Sequence, residues 1–250
     1  MASERSRASS GGMPWVCDDA RMGRHTTCAR TETGLGARNL PECGARVSTS
    51  IQMGLPGITI DVGDHICAIY RGTAGRDELL VPYLREALSA GDKCICVMDD
   101  PCAETVLAQL DKHVDTDVSR CSGQFEFLRS EVTYLSDGYF AIEEMLDFWE
   151  RGISGALGAD GYGFVRAVGE MTWALRDVPG VALLVRYESE LNRFLPRYPQ
   201  VILCMYDLEK FTSGNILLDL LRTHPKLLLS GRVVDNPWFT EPDEYPAAGA

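Results

Sequence analysis

His65 and Cys67 stand two residues apart in the run His65-Ile-Cys-Ala-Ile-Tyr70. Alternate residues of a strand share a face, so imidazole and thiol project together if this run is extended. That pair suits a zinc or copper site, or a thiol switch. Cys94 and Cys96 repeat the spacing in Lys93-Cys-Ile-Cys-Val-Met98, and would join the first pair if the two strands were neighbours in one sheet. Cys204, in the middle of Val201-Ile-Leu-Cys-Met-Tyr206, fits either face. Against a metal or redox centre stands the ordinary behaviour of cysteine, a small apolar side chain that fills cores, and this is the plainer reading of Cys94, Cys96 and Cys204. A histidine that opens an apolar strand needs a hydrogen-bond partner or a ligand, which makes His65 and Cys67 the stronger pair.

A second set of residues lies just after the apolar runs. In an open α/β sheet ligands gather beyond the carboxyl ends of the strands, where Tyr70, Arg71, Glu170, Trp173, Tyr206 and Asp207 would fall. Tyr70-Arg71-Gly72-Thr73-Ala74-Gly75-Arg76 occupies the place of a phosphate loop but lacks the Gly-Lys-Ser/Thr ending that would hold phosphates and Mg²⁺. Its arginines could still meet an anion, although a plain connector explains the glycines equally well. Asp207 resembles the metal-holding carboxylate of nucleotide hydrolases in position, yet without that loop a cap or turn role is as good a reading. Glu170 and Trp173 put a carboxylate and an indole on one rim, suited to a small organic ligand; the alternative is that Trp173 and Tyr187 cover the core. Glu188 and Asn192, four apart on one helical face, read as solvated or salt-bridged, and His224-Pro225 reads as a helix terminator. No Ser-His-Asp order, G-x-S-x-G, H-E-x-x-H or paired catalytic carboxylate stands out, so nothing in the chain argues for catalysis.

Periodicity supplies the elements that must carry these groups. Strands are expected at 65–70, 93–98, 124–129, 163–168, 201–206 and 226–230, with 232–234 pairing beside the last. Helices are expected over 77–90, from Asp100-Pro101 through Lys112, along the stripe Ile142, Met145, Leu146, Trp149 and Ile153, over 181–195, and over 214–222. Pro82 is tolerable only near the first turn of its helix. Near-continuous apolar strands alternating with helices predict an α/β fold: a mostly parallel sheet of six or seven strands with helices on both faces.

Composition narrows the class. The 250 residues are 45% apolar and carry a net charge of −12, which argues against a phosphate-binding groove and against direct nucleic-acid contact. Nine cysteines without regular spacing suit a reducing compartment, and the absence of a long apolar run or a leader pattern points to a cytoplasmic protein off the membrane. Residues 1–54 hold seven arginines and five acidic residues, while the other 196 hold 17 basic and 31 acidic residues. This Gly-, Ser-, Thr- and Arg-rich part, with Cys17, Cys28 and Cys43, is expected to be a disordered extension, 55–241 the folded domain and 242–250 a flexible tail. Met53 could also mark the beginning of the functional chain.

The segments Asp64-His-Ile-Cys-Ala-Ile-Tyr70, Leu80-Val-Pro-Tyr-Leu-Arg-Glu-Ala-Leu88, Gly91-Asp-Lys-Cys94, Gly169-Glu-Met-Thr-Trp-Ala-Leu175, Tyr187-Glu188, Leu203-Cys-Met-Tyr-Asp207, Leu221-Arg-Thr-His-Pro225 and Asn236-Pro237 together resemble the MEDS domain, the sensory domain of methanogen and methylotroph regulators. The resemblance runs from about residue 57 to 240. It implies a RecA/KaiC-like three-layer core that has lost its ATPase machinery, a non-catalytic sensor of simple hydrocarbon derivatives, and ligand contact by the His and Cys of the first strand, here His65 and Cys67. Neither the extension nor the tail is long enough for an output domain, so output is expected through a protein partner or self-association as a homo-oligomer. No cofactor and no metal are expected on this reading. The expected ligand-binding set is His65, Cys67, Tyr70, Arg71, Glu170, Trp173, Tyr206 and Asp207. Two alternatives remain: a degenerate nucleotide-binding protein, and a metal or redox sensor built on His65, Cys67, Cys94 and Cys96.

Overall fold

The computed structural model describes residues 50–244. The boundaries expected at 54 and 242 therefore fall near its ends, and Cys17, Cys28 and Cys43 lie outside the described residues. The fold begins before residue 54: β1 (Ile51–Gln52) and β2 (Thr59–Ile60) form a small antiparallel hairpin, and Met53 is fully buried.

The main sheet comprises β3 (His65–Tyr70), β4 (Lys93–Met98), β5 (Phe125–Arg129), β6 (Val165–Glu170), β7 (Gln200–Asp207), β8 (Lys226–Leu229) and β9 (Arg232–Asp235). Its order is β5-β4-β6-β7-β3-β8-β9, parallel throughout except for the β8–β9 pair. The helices are α1 (Gly72–Ala90), α2 (Asp100–Leu110), α3 (Thr116–Cys121), α4 (Ser130–Thr133), α5 (Ile142–Gly158), α6 (Leu184–Phe194) and α7 (Gly214–Arg222). Every residue of β4, β6 and β7 is buried, as strands covered on both faces require. One core, around Leu80, Tyr83, Leu84, Val106 and the hairpin, lies on the α1–α2 face; the other, around Trp149, Trp173, Tyr187, Leu191 and Leu220, lies under α5, α6 and α7.

Several expectations shift. β3 and β4 are consecutive in sequence, yet β6 and β7 lie between them, which parts Cys94 and Cys96 from His65 and Cys67. Helix α1 starts at Gly72 rather than Asp77, leaving Pro82 well inside it. Its early start has a cause outside the helix: Asp207, at the end of β7, accepts the Gly72 backbone N–H at 2.9 Å and so caps a terminus that its own Arg71 leaves uncapped. Near Pro82 the hairpin comes so close that a Cβ on Gly54 (φ +96°) would lie 2.2 Å from the Pro82 carbonyl oxygen. The buried Arg166 fixes the same hairpin to the sheet, donating to Gln52 O at 3.0 Å and to Asp92 at 2.8 Å. Asp99 stands at the cap position of α2.

Candidate functional site

His65, Cys67 and Ile69 of β3 face α6 and α7, as the two-residue period requires, and Cys67 pairs in register with Cys204 of β7. Helix α6 lays Glu188 and Asn192 over this face; its buried stripe of Leu184, Tyr187 and Leu191 runs through position 188, so the carboxylate is carried into the core by its neighbours. His224 enters from the short link between α7 and β8. The result is a cluster in which His65, Glu188, Cys204, Tyr206 and His224 are all buried. Glu188 Oε2 lies 3.2 Å from His65 Nε2, 3.3 Å from His224 Nε2 and 3.4 Å from Cys204 Sγ, and Glu188 Oε1 accepts the Tyr206 hydroxyl at 2.5 Å. Cys204 Sγ is also 3.4 Å from His65 Nε2, and the two imidazole rings lie 4.1 Å apart.

The electrostatics follow from burial and these contacts. Burial alone would raise the Glu188 carboxyl, but His224 and His65 beside it outweigh burial and hold the group well below the usual carboxylate range. Burial, with His224 beside it, lowers His65 and favours its neutral form. Burial and the Glu188 charge push Cys67 and Cys204 well above the normal thiol value. Cys94 is raised by burial to about 12 and Cys96 further, on the opposite face of the sheet. Thiols so deeply buried are poor nucleophiles, so the geometry gives the thiol-switch alternative no support.

The remaining expected residues do not converge here. Tyr70 faces the other side of the sheet and donates to Glu170 Oε1 at 2.9 Å, while Thr172 donates to Glu170 Oε2 at 2.6 Å. Asp207 is occupied by the backbone N–H groups of Gly72 and Glu209, at 2.9 and 3.0 Å. The positive end of α1, where a phosphate would bind, thus already holds a carboxylate. Arg71 is exposed, and Trp173 is packed inside the core against Tyr134 and Phe140. The set expected as one site therefore divides: His65, Cys67 and Tyr206 under α6, Tyr70, Glu170 and Asp207 at the carboxyl rim, Trp173 in the core and Arg71 at the surface.

Glu170 lends itself to a direct check. Burial raises its carboxyl despite the hydrogen bonds from Thr172 and Tyr70. A carboxyl raised on folding favours the native state at acid pH, and that contribution falls away as pH climbs through the folded value. Glu170→Gln keeps an oxygen for Tyr70 and removes the buried charge, so at pH 7.5 it is expected to remain within about 1 kcal/mol of the wild type or above it in urea unfolding. A loss of several kcal/mol would mean that the charge itself is needed.

Glu188, Asn192, Cys204 and His224 are the members absent from the expected ligand-binding set. The available signal was a carboxylate at the i+4 position from Leu184 on the apolar stripe of α6, which marks it as interior. For His224 the local sequence signals only a helix end.

A doubly covered, mostly parallel sheet whose phosphate position is filled by its own carboxylate, with a closed polar cluster inside one layer, describes a three-layer α/β domain with a buried polar centre. The chain belongs to the MEDS family, the MEthanogen/methylotroph, DcmR Sensory domain, whose description matches residues 64–225. His65 and His224 stand just inside the two ends of that match. Among curated proteins, the transcriptional repressor DcmR of Methylorubrum extorquens (strain DSM 6343 / CIP 106787 / DM4) is 36% identical over 183 residues, covering 71% of this chain. The alignment spans 64% of DcmR, a little under two thirds of its length. Among solved structures, the KaiC-like protein PH0186 from Pyrococcus horikoshii OT3 superposes with a TM-score of 0.50 at 13% identity, over 71% of this chain and 78% of its own, a likeness of fold alone. The chain therefore has a KaiC-like, RecA-type α/β fold and a sensory or regulatory character. No described helix is long and apolar enough to cross a membrane.

Proposed function

We propose that the domain is a non-catalytic cytoplasmic sensor that receives a small organic ligand, a simple hydrocarbon derivative, at the His65–Glu188–Cys204–Tyr206–His224 cluster and signals to a protein partner rather than to nucleic acid directly. The observation that carries this reading is the cluster itself: five buried polar side chains drawn from β3, α6, β7 and the α7–β8 link. Polar groups are costly to bury, so their concentration under one helix is better explained by binding than by folding. Helix α6 supplies the route outward. Glu188 and Asn192 point in, while Glu190, Arg193 and Arg197 line a surface groove with Leu146, Asp147, Glu150 and Phe194. A ligand that displaces Glu188 must tilt this helix and change that groove. Asp207, already committed as a cap, leaves the degenerate nucleotide-binding alternative without its metal-holding carboxylate.

Native mass spectrometry of the freshly isolated full chain, with hydrogen exchange during titration by short alcohols, amines and halides of methane and ethane, tests the reading. Altered exchange confined to α6 and α7, abolished by Glu188→Gln, is expected. An exchange pattern indifferent to every compound, with no small molecule bound as isolated, would remove the proposed ligand role.

A further inference from the structure

The outer nitrogens of both cluster imidazoles are already engaged, and this fixes what the inner ones offer. Asn192 donates its amide N–H groups to the carbonyls of Glu188, Ser189 and Thr223, at 3.2, 3.2 and 2.7 Å, so its oxygen is the atom facing His65 Nδ1 at 3.0 Å. His65 Nδ1 must therefore carry the proton. The same holds for His224, whose Nδ1 lies 2.7 Å from Leu220 O and 3.1 Å from Thr223 Oγ1, a hydroxyl that gives its own proton to Leu220 O. Each ring therefore turns its Nε2 inward, toward Glu188 Oε2. His224 Nε2 is fully buried without any hydrogen-bond donor in reach. Two imidazole nitrogens, a carboxylate oxygen and a thiol sulfur thus converge on one buried point.

From this convergence of four buried ligand atoms we infer that His65 Nε2, Glu188 Oε2, Cys204 Sγ and His224 Nε2 bind one divalent transition-metal ion of the zinc type. The inference deepens the sensory reading by naming what the cluster holds. The four atoms lie within 4.8 Å of one another, and the four separations given above run from 3.2 to 3.4 Å. A tetrahedral ion with bonds of about 2.0–2.3 Å needs its ligands about 3.3–3.8 Å apart. Nitrogen, oxygen and sulfur donors in this ratio suit zinc, and hard cations such as Mg²⁺ or Ca²⁺ are disfavoured by the imidazoles and thiol. Charge closes as well: the ion's two positive charges meet one carboxylate and one thiolate, so the buried centre is neutral once the Cys204 proton has left to solvent. The outer hydrogen bonds of His65, His224 and Glu188, to Asn192, Leu220 O and Tyr206, are those that orient ligands around a metal. Bound there, the ion would clasp β3, α6, β7 and the α7–β8 link together.

The test uses the full chain, made without a histidine tag and purified without chelators. Elemental analysis is expected to find about one zinc-type ion per chain, reduced at least tenfold in Cys204→Ser and Glu188→Gln. Metal-free protein titrated with Co²⁺ is expected to give the intense ligand-field bands of a tetrahedral ion and a thiolate-to-cobalt band that is lost in Cys204→Ser and retained in Cys67→Ser and Cys94→Ser. Tyr206→Phe should keep the spectrum and weaken binding by about 10–100-fold. Should the ligand variants fail to fold, the wild-type cobalt spectrum still reports sulfur and geometry, and the Cys67 and Cys94 variants still exclude those thiols. Wild-type protein that is isolated without metal and gives no cobalt spectrum would overturn the inference, as would a thiolate band that survives Cys204→Ser. A metal-loaded chain whose exchange ignores every hydrocarbon derivative removes the sensory reading and leaves the centre standing; a responsive chain without metal does the reverse.

Discussion

Glu188→Ala is expected to cost chelator-treated protein about 3–5 kcal/mol of unfolding free energy, the range seen when one partner of a buried charged network is removed. Four groups depend on this carboxylate: the Tyr206 hydroxyl, the Cys204 thiol and the imidazoles of His65 and His224. All are buried, so none can turn to bulk water when it goes, and the missing side chain leaves a hole besides. The urea midpoint should fall sharply with little change in slope. Glu188→Gln separates shape from charge. Its oxygen can still accept from Tyr206 and its amide can donate to one Nε2, so a smaller loss of about 1–2 kcal/mol is expected. If alanine cost under 1 kcal/mol, the cluster would have to be wet and loosely held, contrary to the burial described.

Trp173→Ala is expected to fall in a similar range, about 3–5 kcal/mol, through lost packing. Its indole is fully buried, stacked on Tyr134 with ring centroids 4.5 Å apart and tilted against Phe140 at 4.8 Å. A residue at a ligand rim would show the opposite signature, a weakened ligand response with stability nearly unchanged. Trp173→Phe sharpens the comparison, because the indole N–H has no hydrogen-bond partner and phenylalanine removes that buried donor. The phenylalanine variant should therefore retain most of the stability that alanine loses, as read from urea midpoints.

Local elements were legible where the pattern was self-sufficient. The bounds of β3, β4 and α7 follow directly from apolar runs and their punctuation, and the shared face of His65 and Cys67 follows from the pleat alone. Strand order was less accessible. Proximity in sequence favours neighbouring strands, but β3 pairs with β7 and β8, and no short segment encodes a partner more than a hundred residues away. The same limit hid the site. Cys204 looked like core filling because most of its companions come from three other stretches of the chain, and Asp207 fitted a cap and a metal carboxylate equally well without the contact to Gly72. Trp173 was ambiguous for another reason: position after a strand says nothing about which way a large aromatic turns. Glu188 was readable in principle, since a carboxylate on an apolar helical stripe must be paired once that stripe is buried.

The strand order also sets a timetable for synthesis. His65 is matched with Ile202, and Ile66 with Lys226, so β3 has no sheet neighbour until the last part of the domain has been made. At ribosomal speeds of about 5–20 residues per second, that interval is on the order of ten seconds. Throughout it an apolar segment with Ile66 and Ala68 must wait unpaired, a natural target for chaperones and an aggregation risk at high expression. The cluster cannot assemble before His224 emerges, so its completion reports that nearly the entire domain is in place.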